Sequence, residues 1–223
     1  MGSAIGSILP LALGIAISPI PIIAAILMLL SPKARATSVG FLVGWILGIV
    51  VAVVVFTLLS SLIPAASDGS KPGAGVVKII LGVLLLLLAV RQWRSRPKGD
   101  AEPALPNWMA AIDTMTAGKA LGLGFLLAAV NPKNLLMGAA AGVAIGAAGI
   151  SSGEATITIV IYVVIAASTV ALPVIAYLAA SSRMTAPLQS LRTWLVHNNA
   201  TVMSILLLVI GFVVVGKGLA DFS

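Results

Sequence analysis

Between Ala120 and Ile150 the chain is apolar almost throughout, except at Asn131-Pro132-Lys133-Asn134. That interruption constrains what the rest can be. A lysine at a bilayer centre costs about 2.5 to 3.5 kcal/mol on insertion scales, so its presence in such a run marks a site. A second interruption, Ser18-Pro19-Ile20-Pro21, falls inside the first apolar run, and aligning the two sets Pro19 opposite Pro132 and Pro21 opposite Asn134. The chain reads as one pattern written twice.

Hydrophobic residues make up 60% of the 223 and charged residues only 9%, against about 25% charged in soluble domains. With a mean hydropathy of +1.18, the class is integral membrane protein. A net charge of +7 and a pI near 10.3 do not point to nucleic acid, because the basic residues form no basic helix with interleaved aromatics. They fit the positive-inside bias of membrane proteins. With no cysteine there is no disulfide framework, thiolate chemistry or cysteine metal site. The first apolar stretch lacks a basic leader and runs past the length of a signal peptide, so it is expected to be a retained span.

A membrane span needs about 20 apolar residues, and six stretches qualify. The first, Ile5 to Leu30, is broken by the Ser18 motif; the second, Thr37 to Ile63, carries Gly40, Gly44 and Gly48 on one helical face, a pattern that lets membrane helices approach closely. The loop Pro64 to Gly75 leads to the third, Val76 to Arg91, whose Leu84 to Leu88 run reads as lipid-facing. The fourth, Lys119 to Ile150, holds the central motif and a second stripe, Gly138, Gly142 and Gly146. The fifth, Ala155 to Ala180, has a kink expected at Pro173, and the sixth runs from Thr201 to Gly218. Two amphipathic segments are expected at the interface: one with Trp108, Ile112 and Met115, and one over 185–198 with Leu188, Leu191 and Leu195 on one face.

If the spans alternate, one side of the membrane receives Lys33, Arg35, Arg91, Arg94, Arg96, Lys98, Lys119, Arg183 and Arg192, and the other only Lys71, Lys78 and Lys217. Nine against three places the first set in the cytoplasm and both termini outside. The expected fold is therefore an all-α integral membrane protein of six transmembrane helices arranged as two inverted three-helix repeats, the first helix of each repeat broken. The first repeat covers 1–94, a cytoplasmic linker 95–118, and the second repeat 119–223.

In each motif a good capping residue, Ser18 or Asn131, precedes a proline, which suits the first position of a helix. Each broken span should restart there and turn a half-helix N-terminus, with free N–H groups and a positive dipole end, toward the membrane's middle. That arrangement favours an anion. The candidate substrate-binding residues are Ser18, Pro19, Pro21, Asn131, Pro132, Lys133 and Asn134, for a head group such as a carboxylate, phosphate or sulfate. Prolines alone make kinks, but a kink does not require a buried charge.

All six carboxylates, Asp68, Asp100, Glu102, Asp113, Glu154 and Asp221, fall at loops or span ends, so coupling through a buried acid is not expected. No metal cluster, catalytic triad or phosphate loop is present in the pattern, and neither an enzyme nor a cofactor is expected. Lone His197, beside Asn198 and Asn199, reads as a solvated cap at the end of the second interfacial helix.

Ser18-Pro19-Ile20-Pro21, Gly40, Gly44 and Gly48, the Pro106-Asn107-Trp108-Met109 segment with Asp113, and Asn131-Pro132-Lys133-Asn134 after the Gly122-containing helix start together resemble the mycobacterial peptidoglycolipid-addressing and sulfolipid-addressing proteins of the lysine-exporter superfamily. The resemblance spans essentially the whole chain. Ser-Pro-Ile-Pro departs from the Gly-Pro-Gly-Pro form of that superfamily's amino-acid exporters, which argues against a small amino acid as substrate. The resemblance implies a multi-pass plasma-membrane protein that exports or flips a polar or anionic envelope lipid of the glycolipid class, working beside large lipid exporters or lipid-synthesis proteins. Two alternatives stand: export of a small amino acid-like or anionic solute, and a non-transporting assembly factor. A homodimer through an exposed glycine face is a further expectation.

Overall fold

The computed structural model describes residues 1–61, 72–96, 112 and 114–222, and among these the regular structure is helical without strands. Seven helices follow in order: α1 (Gly2–Ala16), α2 (Pro19–Leu29), α3 (Ala34–Ser61), α4 (Pro72–Arg94), α5 (Ala117–Ala129), α6 (Pro132–Gly146) and α7 (Ser152–Ala220). Helices α3 and α4 and the two arms of α7, Ser152–Ser181 and Arg183–Ala220, are each long and apolar enough to span a membrane. The pairs α1 with α2 and α5 with α6 qualify as bent spans, which gives up to six. The protein is a multi-pass membrane protein. Trp108 and most of the segments 64–75 and 95–118 lie outside the described residues; Ile112 is buried.

Apolarity cannot sort the inside of such helices from the outside, so residue size and shape do. On α3, Val39, Val43, Leu47, Val51 and Val55 recur every four residues and are exposed. Phe41, Trp45, Ile49 and Val53 form the opposite, buried row, with the Phe41 and Trp45 rings stacked at 6.4 Å. Beside that row the glycines admit a neighbour. A Cβ on Gly40 or Gly44 would collide with the carbonyl oxygen of Ala117 or Leu121, and one on Gly48 would lie 2.6 Å from the Ala128 Cβ, so α5 packs directly on the α3 backbone. The second stripe packs further along the same helix: Cβ atoms on Gly142 and Gly146 would lie 2.6 Å from Phe56 Cβ and 2.7 Å from the Thr57 carbonyl oxygen. One unbroken helix thus splints both halves of a broken one. Both stripes are occupied within the chain.

Helix α4 runs antiparallel to the last arm of α7, with Gly75 against Gly218 and Gly82 against Gly211. The Leu84 to Leu88 run is divided: Leu84 and Leu87 are exposed, Leu85 is fully buried, and Leu88 turns toward the interior. The departure from helical dihedrals in α7 falls at Ala180 (φ −148°, ψ 57°), and Pro173 lies inside the helix. Proline's fixed φ is itself helical, whereas a chain that must return needs a residue outside the α region. The arms do return. Glu154 at the start of α7 pairs with the N-terminal amine of Met1 at 3.7 Å, and Lys217 near its end donates to the Gly6 carbonyl at 3.2 Å. The same end of the bundle carries the Lys78–Asp221 ion pair at 2.7 Å.

The last arm is continuous through 185–198 into the final span, and no helix ends at Asn198. Its 38 residues make a rod of about 57 Å, well beyond a hydrocarbon core of about 30 Å. An untilted helix of that length therefore extends past the bilayer core.

Candidate functional site

Steric clash with a following proline pushes the preceding residue out of the α region, and this sets where each span breaks. Ser18 (φ −79°, ψ 109°) precedes Pro19 and Asn131 (φ −59°, ψ 122°) precedes Pro132; both prolines take the first helical position. The spans bend by 48° and 61° at these points.

A break inside apolar surroundings leaves carbonyls that need donors. At the second break Asn134 supplies one from within, its Nδ2 donating to the Leu127 carbonyl at 2.8 Å, while the Asn131 Oδ1 accepts from the Lys133 amide at 3.1 Å. At the first, the hydroxyl of Thr169 on α7 donates to the Ala16 carbonyl, and the Ser18 side chain makes no capping bond.

Ser18, Asn131, Pro132 and Lys133 line one cavity of about 310 Å3, so the structure brings the two motifs together. Pro19 and Pro21 are buried in α2 and are not among its lining residues, and neither is Asn134, 1% exposed, whose Nδ2 serves the helix break while its Oδ1 has no hydrogen-bond partner among the described residues. The cavity also takes in residues that the sequence did not mark as a site. Arg91 and Gln92 come from the end of α4, Ser95 from just beyond it, and Asn199 and Met203 from the last arm of α7. The signal for them was spacing: Leu88, Gln92 and Ser95, and Asn199, Met203 and Leu207, recur at three or four residues and so share a helical face. Of the polar trio near 198, His197 and Asn198 bond back along their own helix to the Thr193 and Trp194 carbonyls. Of the three only Asn199 lines the cavity, and its buried Oδ1 has no hydrogen-bond partner among the described residues.

The electrostatics are one-sided. Lys133 is only 8% exposed, and its ammonium lies 3.4 Å from the Met203 sulfur. Among the described residues neither it nor Arg91 is paired with a carboxylate, and no carboxylate lines the cavity. The half-helix ends contribute less than the motifs promise. Two of the first three positions of α2 are prolines without an N–H, and the first free N–H of α6 is taken by Asn131. An anion here would be held chiefly by the two side-chain cations, with amide and hydroxyl groups of Gln92, Asn131, Asn199, Ser18 and Ser95 around it. The last two turns of α4 form one wall, so the cavity lies toward the Arg91 end of that helix and away from its middle.

Against the Arg91 side of this cavity lies an apolar groove of about 490 Å3 between α4 and the α5–α6 break, lined by Leu84, Leu87, Leu135 and Leu136 among others. Leu88, Arg91 and Pro132 line both spaces. The family described as Sap, sulfolipid-1-addressing protein, matches residues 8–220. The chain belongs to that family. No curated protein and no solved structure matches significantly. The family match includes both breaks, every cavity residue and the groove, so the resemblance to the sulfolipid-addressing proteins holds.

Proposed function

We propose that the protein exports or flips a polar, anionic cell-envelope lipid of the glycolipid class, holding the head group in the cavity at the two breaks while the hydrocarbon stays in the groove between α4 and α6. The observation that carries this reading is the shared wall: a polar cavity with a buried, carboxylate-free lysine borders an apolar groove across Leu88, Arg91 and Pro132. A small solute has no use for such a groove. The family's name, sulfolipid-addressing, agrees with a lipid that carries an anion, and lysine-exporter superfamily membership fits the broken helices.

The two halves act as inverted repeats. α3 braces the second broken span, and α7 bonds to the first through Thr169, as a two-fold relation would have it. The cavity lies toward the basic, cytoplasmic end, while the opposite end is tied by Lys78–Asp221 and Lys217–Gly6. This is a state loaded from the cytoplasm, with the termini outside the plasma membrane, and transport requires those ties to part. Lipid-synthesis proteins or a large exporter on the cytoplasmic side would deliver or relay the substrate.

The test is flipping of fluorescent lipids by purified protein in liposomes. Wild type should move anionic lipid, Lys133→Ala should lose that activity while eluting as a folded species, and Lys133→Arg should keep part of it. If all three are equally inactive yet capture lipid-synthesis proteins from membranes, the protein is an assembly factor and the transport reading is wrong.

A further inference from the structure

The basic residues in the last turn of α4 and just beyond it look alike in the sequence but have different surroundings in the fold. Arg96 lies over the Trp93 ring, 3.6 Å from its centroid, and Arg94 is exposed and lines neither the cavity nor the groove. Arg91 lines both, and Lys133 lines only the cavity. Resting on the lipid-transport reading, we infer that Arg91 is the charge-selecting residue of the site: it binds the sulfate or phosphate of the lipid where head group meets hydrocarbon, and Lys133 holds the head group further in.

The position supports the role. The last turn of a helix favours a cation, and Arg91 sits there, against the groove. Its planar guanidinium presents paired donors that match two oxygens of a sulfate or phosphate, which an ammonium cannot do. A lipid entering from the groove keeps its chains against Leu84, Leu87 and Leu136 and meets Arg91 before it meets Lys133. A neutral lipid gains nothing at that step, and a zwitterionic one gains less, because its own ammonium offsets the phosphate that Arg91 would bind and brings a like charge toward Lys133. Arg91 therefore acts on entry, and Lys133 on the bound head group. Asn199 lines the cavity, and its buried Oδ1, without a hydrogen-bond partner among the described residues, is an acceptor that a side-chain rotation would offer to a hydroxyl of the same head group.

The experiment uses the full chain in liposomes with fluorescent phosphatidylglycerol and phosphatidylcholine, comparing wild type, Arg91→Gln, Arg91→Lys and Arg94→Gln. Loss of a charge-assisted pair is worth about tenfold or more. Arg91→Gln should raise the KM for the anionic lipid by about tenfold with kcat little changed, Arg91→Lys should fall between, and Arg94→Gln should match wild type. Equal effects of Arg91→Gln and Arg94→Gln, with wild-type flipping intact, would overturn the role of Arg91 and leave the transport reading standing. If wild type flips neither lipid, the transport reading fails and binding decides the inference: intrinsic tryptophan fluorescence is titrated with phosphatidylglycerol and, separately, with inorganic sulfate. Arg91-dependent binding of the lipid would sustain the charge-selecting role without transport. Equal affinity for inorganic sulfate would overturn the head-to-tail placement, and no Arg91-dependent binding would overturn the whole inference.

Discussion

At the first break Ser18 stands before Pro19 with no bond from its hydroxyl to the helix that follows, and the Ala16 carbonyl is satisfied from another element by Thr169. At the second, Asn131 caps α6 and Asn134 reaches back to Leu127, both within the same span. The packing differs in the same sense. A Cβ on Gly44 would strike the Leu121 main-chain carbonyl of α5, whereas one on Gly14 of α1 would meet the ends of the Ile210 and Met137 side chains. The second break is a self-contained unit clamped by backbone to backbone. The first is completed by its neighbours and cushioned by side chains that can move. Charge follows rigidity: position 133 is Lys on the clamped break, and its counterpart across the alignment is Ile20, which lines the same cavity.

The largest expected effect comes from exchanging those two residues. Lys133→Ile should abolish flipping of anionic lipid, because the remaining cation lies at the groove mouth. Adding Ile20→Lys in that background should restore part of the activity, since both positions face one cavity. No restoration, in a double variant that still elutes as folded protein, would mean that the clamped break and not the cavity is the functional unit.

The glycine contrast is next in size and concerns stability. Gly44→Ala forces apart two backbones and should cost about 3 kcal/mol, read as a lower thermal midpoint in detergent. Gly14→Ala should cost less, because a methionine and an isoleucine tip can shift. Gly122→Ala, which meets nothing within 4 Å, should stabilise its helix by roughly 0.5 to 1 kcal/mol. Equal losses at Gly14 and Gly44 would remove the distinction between a clamped break and a cushioned one.

The sequence carried much of this, for identifiable reasons. A proline after Ser18 or Asn131 in an apolar run allows few backbone solutions, so the break positions were legible to the residue, and glycines four apart on a span can mean little except close packing. What was not legible is what depends on context. Arg91 and Arg94 are the same residue at the same helix end, and only the fold sets one against the groove. Asn198 and Asn199 read as a helix end because asparagine favours caps, yet Asn198 bonds back to Trp194 and the helix continues. The end of the fifth span at Ala180 was legible, and the chain leaves helical dihedrals there; the proline expected to kink that span lies inside the helix instead. Asn134 read as a ligand because it is polar and central, and the sequence does not show that its Nδ2 serves the break's own Leu127 carbonyl.

The smallest expected effect separates the two capping residues. Asn131→Ala removes the bond to the Lys133 amide and should lower stability by about 1 kcal/mol, seen as a modest drop in thermal midpoint. Ser18→Ala removes no capping bond, so its midpoint should stay within error of wild type. Its hydroxyl nonetheless faces the cavity, so the same variant should weaken lipid binding a fewfold, the worth of one neutral hydrogen bond. The two readouts then move apart: stability responds at 131 and hardly at 18, while affinity responds at 18. If Ser18→Ala instead lowers the midpoint as much as Asn131→Ala, its hydroxyl is holding the break together, and the two breaks are built alike after all.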